Sequence, residues 1–190
     1  MKTTLLTLLG CLLTLPALAA EKGSARLIVE PATGKVLVSE GPVKTRHSPC
    51  STFKIPLAVM GFDAEILTSP TEPVWEYNPE KHEAHRPEEK QATNPLDWEK
   101  NSVVWFSQEL ATRLGAETFR DYIREFRYGN EDISGDHGKN NGLTHSWLSS
   151  SLQISPEEQI AFLERFFRSE LGVTEAAYRQ TQAILPKFDA

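Results

Sequence analysis

Hydrophobic positions along the chain fall into a short strand-like opening followed by a long helical stretch. Arg26-Leu27-Ile28-Val29-Glu30 and Lys35-Val36-Leu37-Val38-Ser39 are β-rich runs separated by Pro31-Ala32-Thr33-Gly34, which is turn chemistry, so they predict a hairpin. Ser48-Pro49 reads as a helix cap followed by proline at the first helical position. The helix it opens runs towards Leu67 with Phe53, Leu57 and Met60 on one face. Residues 69–101 are rich in proline and charge and predict loop with short helical pieces. The 3.6-residue period returns at Ser102, with Val103, Phe106, Leu110 and Leu114 sharing a face that Gly115 ends. A further helix over 117–127 turns Phe119, Ile123 and Phe126 inward. Residues 128–146, with Gly129, Gly135, Gly138 and Gly142, predict a long surface loop. Ser155-Pro156-Glu157-Glu158 is a capping box, and the helix behind it is expected to bury Ile160, Leu163 and Phe167 and to end near Gly172. Thr174 caps a last helix that Pro186 terminates.

The amino terminus stands apart from this pattern. Lys2, an apolar run from Leu5 to Leu15, Pro16 and then Ala17-Leu18-Ala19-Ala20 predict a secretory leader over 1–20, too short for a membrane span. The expected organisation is therefore a leader over 1–20 and an incomplete domain over 21–190, exported to the periplasm, with no stable membrane association once the leader is cleaved. The 190-residue chain carries a formal net charge of −6. The leader holds one lysine and no acid, so the remainder has 19 basic against 26 acidic residues. Such an acidic surface repels phosphate backbones, which argues against a nucleic-acid partner. Cys50 is the single cysteine after the leader. It cannot form an internal disulfide and reads as a small buried residue rather than a nucleophile.

Ser51-Thr52-Phe53-Lys54 carries chemistry. A serine and a lysine three residues apart at a helix start share a face, and a neutral lysine can serve as the base that a serine nucleophile needs. Backbone N–H groups of the first turn favour negative charge developing on an attacked carbonyl. The histidines show no metal-binding frame: His82-Glu83-Ala84-His85 lacks the H-E-x-x-H spacing, so no metal is expected.

Pro49-Cys50-Ser51-Thr52-Phe53-Lys54-Ile55-Pro56-Leu57, then Ser102-Val103-Val104, then Tyr128-Gly129-Asn130, then Trp147-Leu148 with Ser151-Leu152 and Ile154-Ser155, occur in an order that resembles the class D serine β-lactamases. The resemblance runs from about Arg26 to the end of the chain. It implies an α/β (α+β-like) fold of β-lactamase/penicillin-binding transpeptidase type, with an N-terminal hairpin and a helical lobe. It implies hydrolysis of penicillin-type β-lactams, a small-molecule substrate, through an acyl-enzyme on Ser51. Lys54 would be carboxylated by CO2 (N6-carboxylysine, with no other cofactor) and act as general base, Trp147 would hydrogen-bond that group, and Ser102 would relay a proton towards the leaving nitrogen. Val104 would pack on the lysine, and Tyr128 and Asn130 would line the site. CO2 adds only to a neutral amine, and burial against Val104, Phe53 and Trp147 would favour that form.

The family's Lys-Thr/Ser-Gly motif does not occur, and its remaining sheet strands and closing helix are expected beyond Ala190. A chain lacking them is expected to be impaired, aggregation-prone or an inactive remnant. The alternative activity is that of a penicillin-binding sensor domain, which acylates without turnover. Its relatives tend to carry a polar residue where Val104 stands.

Overall fold

A computed structural model describes residues 23–187. The leader expectation for 1–20 lies outside the described residues. Two antiparallel strands open the fold, β1 (Arg26–Val29) and β2 (Val36–Glu40), paired with Arg26 opposite Glu40 and Ile28 opposite Val38. The turn closes through Glu30, whose N–H donates to the Lys35 carbonyl at 2.9 Å. The hairpin buries little: Ile28, Val36 and Leu37 stay exposed. The core sits instead in the helices that follow.

A single 3-10 turn, Cys50–Phe53, leads directly into α1 (Lys54–Asp63), where every residue from Pro56 to Phe62 is buried. A helix apolar on all sides must be packed on all sides. The other helices are α2 (Pro95–Asn101), α3 (Val104–Leu114), α4 (Ala116–Glu125), α5 (Gly142–His145), α6 (Pro156–Phe167) and α7 (Glu175–Ile184). α1 packs chiefly on α7 and α3, and α3 in turn on α4 and α5. Phe53, Leu57, Met60, Trp98, Phe106, Leu110, Phe119, Phe126, Tyr128 and Phe166 are almost wholly enclosed in one continuous cluster.

The predicted helices over α3, α4 and α7 are present, α3 and α4 with their expected inward faces. Gly115 ends α3, and Thr174 accepts the Ala177 N–H at the start of α7. Between Thr68 and α2 the chain is irregular, with one short 3-10 piece over Pro87–Glu89. Three expectations are corrected. Ser48 does not cap the first helix, because its hydroxyl is engaged elsewhere. The loop over 128–146 is not wholly loop, since it ends in α5, whose Gly142 is buried.

The third correction concerns α6. It begins at the predicted capping box, with the Ser155 hydroxyl accepting the Glu158 N–H and the Glu158 carboxylate accepting the Ser155 N–H. It ends at Phe167 rather than near Gly172, and it buries Phe162 and Phe166. Ile160 and Leu163 are half-buried and Phe167 is 60% exposed. Phe162 meets the rings of Phe126 and Tyr128, and Phe166 meets Tyr178, so the aromatic cluster takes that face inward. The adjoining face turns towards β1, where Val29, Pro31, Ile160, Leu163 and Phe167 line an open apolar groove.

Candidate active site

The loop before α1 is stitched to a distant segment. His47 and Ile154 exchange two backbone hydrogen bonds of 3.0 and 2.8 Å, and the Cys50 N–H donates to the Trp147 carbonyl at 3.0 Å. The Ser48 hydroxyl donates to that same carbonyl at 2.7 Å and accepts the Ser149 N–H at 2.8 Å. Cys50 follows with φ 46°, a left-handed conformation uncommon outside glycine and asparagine. Its side chain is exposed, which corrects the expectation of a small buried residue. This clamp presents Ser51 to solvent and directs Lys54, one turn later, into the protein.

Ser51, Lys54 and Ser102 are brought together. Ser102 sits between α2 and α3 with φ 54°, and its hydroxyl lies 2.8 Å from the Ser51 hydroxyl. The Lys54 amine donates to the Ser102 hydroxyl at 3.2 Å and to the Ser51 carbonyl at 3.0 Å. Lys54 is 9% exposed. Burial pushes its ammonium below the usual lysine range, and the nearby Glu99 carboxylate opposes that shift. A neutral amine changes what the chain of hydroxyls can do. An ammonium only donates, whereas a neutral amine can accept. The hydroxyl rotors can then reverse, so that Ser51 donates to Ser102 and Ser102 to Lys54.

Aromatic rings pack against Phe53, the residue before Lys54. Trp147, 2% exposed, stacks on Phe53 with centroids 5.1 Å apart, and Tyr128 meets Phe53 edge-on at 5.4 Å. The Tyr128 hydroxyl donates to Gln159 at 3.1 Å, and burial pushes its phenol well above the ordinary range. Val104 is 37% exposed at the start of α3, and Val103 is the fully buried member of the pair. Asn130 is engaged with the neighbouring backbone. Its amide donates to the Ser151 carbonyl at 2.8 Å and its oxygen accepts the Gln153 N–H at 2.9 Å, so it fastens the loop rather than offering free polar atoms to a ligand. Gly129 beside it has φ 59°, and a Cβ there would lie 2.0 Å from the Gln153 carbonyl oxygen.

One residue of the site escaped sequence reading. Glu99 is 9% exposed and places a carboxylate oxygen 4.0 Å from the Lys54 amine. Its place on the same short helix that leads to Ser102 was the available signal, but a charge in a polar stretch reads as a solvated face. Among the described residues, no group of three or more His, Cys, Asp or Glu side chains is arranged to hold a metal ion.

The family model described as penicillin binding protein transpeptidase domain matches residues 25–187. β-Lactamase OXA-9 of Klebsiella pneumoniae is 51% identical over 164 residues, covering 86% of this chain and 60% of that relative. β-Lactamase OXA-1 of Escherichia coli is 44% identical over 137 residues, covering 72% of this chain and 48% of the relative. The methicillin resistance mecR1 protein of Staphylococcus aureus is 35% identical over 161 residues, 84% of this chain and 26% of that protein. Among solved structures, OXA-427 class D β-lactamase superimposes with a TM-score of 0.82 at 41% identity, over 86% of this chain and 67% of that one. The chain belongs to the penicillin-binding transpeptidase family, in its class D serine β-lactamase branch. It spans about 60% of the length of the first of these curated relatives and less of the others.

Proposed function

We propose that this chain carries the nucleophile-bearing lobe of an exported serine β-lactamase acting on penicillin-type β-lactams in the periplasm, its leader over 1–20 removed. The observation that supports this reading best is the line of Ser51, Ser102 and Lys54 at hydrogen-bonding distances, ending in a buried amine of lowered proton affinity.

Ser51 Oγ attacks the lactam carbonyl carbon. Its proton passes through Ser102 to the basic end of the relay. The lactam C–N bond then breaks, and the nitrogen receives a proton by way of Ser102. Ser51 is left as an ester that water hydrolyses, giving the ring-opened acid and restoring the serine. The site suits a CO2-derived carboxylate on Lys54, because CO2 adds only to a neutral amine and burial favours that form. Such a carboxylate supplies a stronger general base than a hydroxyl relay alone, and Trp147, whose indole N–H can only donate, is its proposed holder. Val104 and Tyr128 form walls of the site.

A second reading, a penicillin-binding sensor that acylates and stalls, draws on the similarity to the mecR1 protein. A labelled penicillin and a chromogenic cephalosporin separate the two. Labelling with turnover supports the hydrolase, stable labelling without turnover supports the sensor, and no labelling refutes both.

A further inference from the structure

Glu99 is the charged group that faces the Lys54 amine, and the relay described above does not use it. It projects from α2, three residues before Ser102, and its side chain is 7% exposed. Its oxygen Oε2, the one 4.0 Å from Lys54 Nζ, is buried without a hydrogen-bond partner. A buried carboxylate oxygen without a donor is costly, and one aimed at an amine is understandable only if that amine, or what the amine becomes, satisfies it. The other groups around Lys54 cannot take this part, because Ser51 and Ser102 offer only a carbonyl and hydroxyls. The charged residues on neighbouring elements are engaged elsewhere: Glu109 pairs with Arg113 on α3, and Asp63 at the far end of α1 accepts from Tyr122 and from the Thr174 N–H.

We propose that Glu99 is a positioning residue for Lys54, holding its ammonium when the site is empty of CO2 and taking up the proton that the amine sheds when CO2 adds. The proposal deepens the reading of Lys54 as a carboxylated base and rests on it.

The step balances as follows. The ammonium first releases one proton to solvent. The neutral nitrogen then forms a bond to the carbon of CO2, one C=O pair moves onto oxygen, and one of the two N–H protons passes to the Glu99 carboxylate while the other stays on the carbamate nitrogen. Without that transfer two anions would share one buried pocket, which is strongly disfavoured. Burial already pushes the Glu99 carboxyl above the ordinary range, the direction that suits a proton acceptor here. Ionised Glu99 therefore opposes CO2 addition twice, by favouring the ammonium and by repelling the new anion. The residue sets how much CO2 the site needs.

The test is a titration of Lys54 in CO2-free buffer, followed by the 13Cε resonance that disappears in Lys54→Arg. In Glu99→Gln, which keeps the shape and removes the charge, Lys54 should bind its proton about tenfold more weakly, as expected for losing one unit charge about 4 Å away in a partly screened site. Glu99→Met, an apolar replacement of similar length, should shift it in the same direction. With 13C-bicarbonate, the concentration giving half the carbamate signal should fall by about tenfold or more in both variants. A Lys54 titration unchanged in the folded variants would overturn the proposal. A titration that moves while neither variant nor wild type shows a carbamate signal would support the pairing and overturn the carboxylated-lysine reading, so the two failures are distinguishable.

Discussion

Replacing Gly129 by alanine should destabilise the fold and disturb the nucleophile loop together. Two costs add at this position. An L-residue at φ 59° gives up about 1–2 kcal/mol relative to glycine. The new Cβ would also meet the Gln153 carbonyl oxygen at 2.0 Å and the Gln153 carbonyl carbon at 2.9 Å. Backbone must therefore move, and the first bond lost is the one from the Asn130 N–H to that same carbonyl, 2.9 Å long and worth about 1 kcal/mol net. The total is about 2–4 kcal/mol against a domain stability of about 5–15 kcal/mol. Gln153 precedes Ile154, which is bonded to His47, and His47 leads into the turn holding Ser51, so the displacement should also slow penicillin labelling. Gly138 provides the control. It too has a positive φ, 77°, but a Cβ there meets nothing within 4 Å, so Gly138→Ala should cost only the conformational part, about 1–2 kcal/mol. Urea denaturation of both variants and wild type, with labelling rates measured in parallel, is the assay. Equal losses at the two glycines would refute the argument that contact with Gln153, rather than φ alone, demands glycine at 129.

Further outcomes follow from individual groups. Trp147→Ala should slow deacylation, with added bicarbonate restoring part of the rate; unchanged turnover at low bicarbonate would remove the indole from its proposed role. The Arg46 guanidinium and the Ser155 N–H hold Glu158 at about 2, below its ordinary 4.5, so its contribution to stability is present above about 4.5 and is lost as pH falls towards 2. Arg46→Ala should therefore flatten the acid side of the stability profile, and a profile of unchanged slope would contradict that assignment. Cys50 should react with a thiol reagent in the native protein, located by mass spectrometry of its peptide; protection until denaturation would contradict its exposure.

Much of the helical lobe was legible because its signals are local. Gly115, the Ser155–Glu158 box and Thr174 mark helix ends through groups within one turn, and each acts where the pattern places it. The orientation of α6 was not legible. Ile160, Phe162, Leu163, Phe166 and Phe167 cover two adjoining faces, and which one enters the core depends on Phe126, Tyr128 and Tyr178, which are distant in sequence. Ser48 shows the same limit from the polar side. A serine before a proline is a sound local cap signal, yet two bonds to the 147–149 segment outcompete the cap. The Ser51, Lys54 and Ser102 grouping was legible through motif order, and its geometry follows from the left-handed turn at Ser102. Glu99 was not, because only tertiary packing removes a helix-borne carboxylate from water. Asn130 was assigned to the site from the same ordered motifs, but its polar atoms are engaged by the chain that follows it.

The central claim is that Ser51 is the nucleophile and that buried Lys54 activates it. Intact-protein and peptide mass spectrometry after brief exposure to a penicillin tests this most directly. The account predicts an adduct of one penicillin mass on the peptide bearing Ser51, absent in Ser51→Ala and formed far more slowly in Lys54→Ala. An adduct that persists in Ser51→Ala, or that forms as fast without Lys54, would contradict it.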